Sequence, residues 1–161
     1  MATEKREKLA IRRIDFEMAF DRDADTYDAY ETFAYLDRRT GEVLWVYEDD
    51  QEAEMEAGIP AAENRALCEG IAAAPARYLE IPGLDHGDRH DMLRAFLKSD
   101  WTDDEALWRR VYEAYTGSIG RWKKAVRDRS IVDAFNVFQE RRAAELGEDF
   151  LRAQGIEPEW R

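Results

Sequence analysis

The chain has 161 residues, the size of one domain, and 45% of them are apolar, which supplies a single core and excludes a globally disordered protein. Nowhere does the sequence approach the roughly 20 consecutive apolar residues of a membrane helix. The net charge of −12 works against non-specific attraction to nucleic acid or to anionic membrane surfaces.

From the N-terminus, Met1 to Lys8 is charged and lacks the apolar run of a signal peptide. Ile11, Ile14 and Met18 follow at helical spacing, with Phe16 and Phe20 on a neighbouring face, which predicts a helix over about 8–21. An acidic run, Asp21 to Asp28, then connects to two β-rich segments, Thr32–Leu36 and Val43–Tyr47. The short loop between them has Gly41 where a left-handed residue would close a hairpin. Val43–Tyr47 is apolar on both alternating sets, the pattern of a central or doubly covered strand. Residues 48–60 begin with a dense run of carboxylates and read as a solvated acidic link. A helix over 61–73 ends at Pro75, and residues 77–81 have the length and flanks of a third short strand, stopped by Pro82-Gly83.

Beyond this point, over 85–156, helical patterns take over. Met92, Leu93, Phe96 and Leu97 form one stripe, with Asp85 placed to cap it. Thr102-Asp103-Asp104-Glu105 matches a capping box ahead of Trp108, Val111, Tyr112 and Tyr115. Ser118 can cap a helix carrying Ile119, Trp122 and Val126, and Ser130 a longer one through Phe135, Phe138, Leu146 and Phe150, with a bend expected near Gly147. The expectation is a single α+β domain, with a small antiparallel sheet of about three strands packed with a helical C-terminal half.

The hairpin Leu36-Asp37 through Thr40-Gly41-Glu42-Val43, the string Tyr78-Leu79-Glu80-Ile81-Pro82 and the C-terminal helices with Arg121-Trp122-Lys123 and Phe135-Asn136-Val137-Phe138 resemble an uncharacterised bacterial family, number 158 of an uncharacterised-protein series. The resemblance covers most of the chain from about residue 30 and implies no reaction, cofactor or catalytic residue.

Chemistry-bearing patterns are few. Asp21, Asp23 and Asp25 alternate like the start of a calcium loop, but the positions needing Gly and Glu are Thr26 and Thr32. His86 and His90, the two histidines, stand at i, i+4 on one helix face. They are the weak metal candidates and need a third ligand that the sequence does not identify. Cys68, the single cysteine, cannot form an intrachain disulfide and fits a reducing, cytoplasmic setting and an ordinary buried thiol.

The charge is polarised. Residues 14–63 hold sixteen acids and three bases, whereas 121–142 hold seven bases and three acids, so the two stretches either compensate each other or offer opposite surfaces to partners. Trp122, Lys123, Lys124, Arg141 and Arg142 are the residues singled out for interaction. The leading expectation is a non-enzymatic protein-binding module, a second copy of the chain among the partners, with no cofactor. A small metal-dependent or acid–base enzyme near His86 and His90, and weak nucleic-acid binding through 121–142, stand as alternatives.

Overall fold

The computed structural model describes residues 5–22 and 31–161. It is α+β: a three-stranded antiparallel sheet, a parallel strand pair and a set of helices. Leu84–Leu146 forms one compact unit, and the chain before Leu84 together with Gly147–Arg161 forms another.

In the α/β unit, residues expected to begin a helix instead form β1 (Glu7–Ile11), and α1 (Arg13–Phe20) starts later. Leu9 and Ile11 alternate inward at the two-residue period of a strand. The reason is distant in sequence: β1 pairs in parallel with Ile156–Trp160 at the other end of the chain. On α1, Phe16 and Phe20 are the buried face, whereas Ile14 and Met18 are 59% and 66% exposed. Phe16 lies 5.7 Å from the Trp160 ring and Phe20 lies 5.8 Å from Phe150, centroid to centroid. Glycine at 147 lets these rings close on the backbone, because a Cβ there would sit 3.0 Å from Phe16.

The sheet runs β3 (Val43–Tyr47), β2 (Thr32–Asp37), β4 (Tyr78–Ile81), with β2 in the middle. β3 is therefore an edge strand rather than the central or doubly covered one its apolar pattern suggested: Trp45, on one of its faces, is partly exposed beneath Arg22. What protects its edge is Asn64 of the helix α3 (Ala61–Ala73), whose amide accepts the Tyr47 N–H and donates to the Tyr47 carbonyl, each at 3.0 Å. At the hairpin, Gly41 has φ +78°, and its N–H donates to the Asp37 carbonyl. A Cβ at Gly41 would lie 1.8 Å from the Ala10 carbonyl oxygen, so both conformation and space demand glycine. Buried Asp37 beside it accepts two hydrogen bonds from Arg77, at 3.0 and 2.8 Å, and one from the Arg39 N–H. This holds its carboxyl at about 2, against the ordinary 3.8.

The acidic link contains a further helix, α2 (Asp50–Ala57). Asp49 caps it by accepting the Gln51 and Glu52 N–H groups, its first-turn acids face the positive end of the dipole, and Gly58 closes it in the left-handed region. Carboxylate density concealed a segment rich in good helix formers.

In the helical unit, α4 (His86–Lys98) opens on the expected Asp85, which forms a reciprocal box with Asp88. α5 (Glu105–Glu113) starts two residues later than the Thr102 box implied. Asp104 is its cap, and Thr102 accepts the Asp104 N–H instead. Ser118 caps α6 (Ile119–Val126) as expected. Ser130 does not cap α7 (Arg129–Ala153); it lies inside the helix and donates both its N–H and hydroxyl to Asp128. Nor does the C-terminus stay helical to 156, because Gly155 at φ +78° turns the chain into β5 (Ile156–Trp160).

The core of this unit joins Leu93, Phe96, Leu97, Val111, Trp122, Val126, Ile131 and Phe135. Trp122 is 0% exposed. Its indole N–H, which would be costly to bury alone, donates to the Val111 carbonyl at 3.1 Å.

Candidate functional site

Burial of Trp122 on α6 and of Phe135 on α7 fixes which side chains of these two helices remain outside. With Trp122 and Val126 turned inward, Lys123, Lys124 and Arg127 point to solvent, and Ile131 and Phe135 do the same for Arg129. The result is a shallow hollow of about 330 Å³ at the α6–α7 corner, lined by Lys123, Lys124, Arg127, Asp128, Arg129 and Val132.

Its backbone is unusual. Arg127, the C-cap of α6, has φ +55° and is the one non-glycine residue with positive φ among the described residues. That conformation costs an ordinary side chain on the order of 1–2 kcal/mol. The turn it makes brings the last bases of α6 up to the first turn of α7.

Four cations thus share the hollow with one carboxylate, and that carboxylate is engaged. Asp128 accepts the Ser130 N–H at 3.0 Å and its hydroxyl at 2.6 Å, bonds that hold its carboxyl below the usual range. The cations are far less committed. Arg129 reaches Asp133 only at 4.0 Å, while the Lys123 ammonium stands 5.9 Å over the Phe135 ring. Lys124 and Arg127 make no ion pair among the described residues. Because long cationic side chains lay their aliphatic stems along the surface and hold their charges outward, the floor, completed by half-buried Val132, is apolar and the rim is basic. Such a surface suits an anionic group that carries an apolar part with it.

Trp122, singled out for interaction from the sequence, offers no surface because it is core. Lys123 and Lys124 line the hollow. Arg141 and Arg142 lie about 18 Å or more along α7 from its start, at about 1.5 Å per residue, and Arg142 pairs with Glu145 at 3.0 Å. Arg127, Arg129 and Val132 entered the sequence reading only as charge or not at all. Only the turn at Arg127 joins them to Lys123 and Lys124.

His86 and His90 do lie on one helix, but no third ligand joins them: among the described residues, no group of three or more His, Cys, Asp or Glu is arranged to hold a metal. His90 is half-buried and hydrogen-bonds through Nδ1 to the Tyr115 hydroxyl, and Arg94 lies over the Tyr115 ring. Cys68 is half-buried behind β3, with its Sγ 3.8 Å from the Tyr47 carbonyl. Burial first, then Asp50, pushes its thiol up and away from a nucleophilic thiolate. Asp23, Asp25 and Thr26 of the calcium-like run lie outside the described residues, and Thr32 is in β2. An acidic hollow of about 710 Å³ in the α/β unit lies among Glu31, Glu48, Asp49 and Glu52.

No protein-family model, curated protein or solved structure matches this chain.

Proposed function

We propose that the protein is a non-enzymatic interaction module whose α6–α7 hollow takes an acidic segment of a protein partner. One observation carries the reading: four cations surround an apolar floor, and the single carboxylate among them is spent on capping α7. Clustered bases recognise acidic motifs through charge-assisted hydrogen bonds, and an apolar floor rewards a side chain more than it rewards a bare ion. Aromatics that would stack nucleobases are absent from the rim, since Trp122 and Phe135 are buried. The chain's −12 also repels polyanions at long range, which favours a short segment over nucleic acid. A cytoplasmic setting, supported by the single Cys68, and kinship with the family resembled at the hairpin and C-terminal helices belong to the same proposal. A metal at His86 and His90 lacks a third ligand among the described residues.

The test is fluorescence anisotropy with a labelled peptide of alternating Glu and Leu, at about 20 mM salt, where screening is weak. Saturable binding that disappears in Lys123→Glu/Lys124→Glu is expected. Absence of peptide binding, or binding that the double variant retains, would overturn the reading.

A further inference from the structure

Accepting the hollow as a docking surface, we propose that its occupant is a second copy of this chain, presenting the exposed face of α2 with Met55 as the inserted side chain.

The α2 segment has the features the hollow lacks. Met55 is 77% exposed, the most exposed large apolar residue among those described, and Glu54 and Glu56 flank it on the surface. Its unbranched, polarizable side chain adapts to a shallow apolar floor better than a branched one would. Around it, negative charge is crowded. Burial raises the Glu52 carboxyl above its usual range, Asp49 and Glu56 add to the effect, and Glu52 Oε2 is buried without a hydrogen-bond partner among the described residues. Positive charge brought against exposed Glu54 and Glu56 offsets part of that crowding.

The charges complement each other on the scale of whole units as well. Residues 84–146 hold twelve acids and twelve bases, so the entire −12 resides in the rest of the chain. The locally basic corner at Lys123–Arg129 is therefore matched by an acidic helix that every copy carries. Exposed Ile14 and Met18 on α1 have no such complement: beside them Arg13 and Glu17 already pair at 2.8 Å.

Because two different patches meet, the contact is heterologous. It does not close at a dimer unless the rotation happens to form a ring, so average mass should keep rising with concentration. A single helix face in a shallow hollow belongs with small, weak interfaces, and its charge pairs make it salt-sensitive.

Sedimentation equilibrium of the full chain over a concentration series, at about 20 mM and about 1 M salt, supplies the test. The expected result is association at low salt and single chains at high salt. Glu54→Lys/Glu56→Lys and Lys123→Glu/Lys124→Glu should each weaken association by about tenfold or more, since each places like charges together. An equimolar mixture of the two variants should associate again, because each supplies the surface the other has lost. All four positions are exposed; should a charge reversal impair folding, Glu54→Gln/Glu56→Gln tests the same face. Single chains at every concentration, or association unaffected by these variants, overturn the self-pairing. If the Glu–Leu peptide still binds in that event, the docking reading stands; if it does not, both fall.

Discussion

The two units of this protein are built and charged in opposite ways. The helical unit, Leu84–Leu146, is electrically balanced, and its core comes from residues three and four apart along its helices. The other unit carries the whole net charge, and its scaffold depends on pairing Glu7–Ile11 with Ile156–Trp160, almost the length of the chain away. Local periodicity therefore describes one unit well and the other poorly. A balanced unit can also concentrate its bases on one corner without opposing its own field, whereas the acidic unit has charge to present wherever a helix is exposed.

Removing the keystone of each unit sharpens this contrast. Trp122→Ala deletes the largest fully buried side chain and leaves the Val111 carbonyl unsatisfied. A loss of about 3–5 kcal/mol is expected in denaturant melts, and a change under about 1 kcal/mol would show that the core is not organised around it. In the α/β unit, Gly41→Val meets both a positive φ and the Ala10 carbonyl, with an expected cost of about 2–3 kcal/mol. Unchanged thermal stability would mean that the turn and β1 are not held together as described.

A smaller effect concerns acid. Asp37 titrates at about 2 in the folded chain, below its ordinary 3.8, chiefly because of the Arg77 hydrogen bond. Its contribution is present above about pH 4 and is lost as pH falls toward about 2, and amounts to about 1–2 kcal/mol. Asp37→Asn should be less stable at neutral pH and should lose less between those limits, as urea titrations at a series of pH values would reveal. Parallel wild-type and variant curves would contradict the assignment. Smallest of all, Lys123→Glu/Lys124→Glu should shift stability by no more than about 0.5 kcal/mol, even as it removes binding.

Much of the helical unit was legible in the sequence because capping and periodicity are local signals. Asp85, Ser118 and the Trp122–Val126 face were readable directly, and the Thr102 and Ser130 caps each slipped by two residues because Asp104 and Asp128 stood nearby as better acceptors. Strand β1 and strand β5 were not readable, since each is explained only by the other. Helix α2 was hidden by its carboxylates, which stabilise its first turn while resembling a solvated link. The candidate site was half visible. Lys123 and Lys124 stood out by charge, but the concavity depends on the backbone of Arg127, and no residue type there signals a left-handed turn.

Mapping the peptide onto the chain tests the central claim most directly. In ¹H–¹⁵N correlation spectra of isotope-labelled protein titrated with the Glu–Leu peptide at low salt, the amides of Lys123–Val132 should move together and saturate at one affinity. Shifts centred on His86, His90 and Tyr115, or a spectrum that does not change, would contradict it.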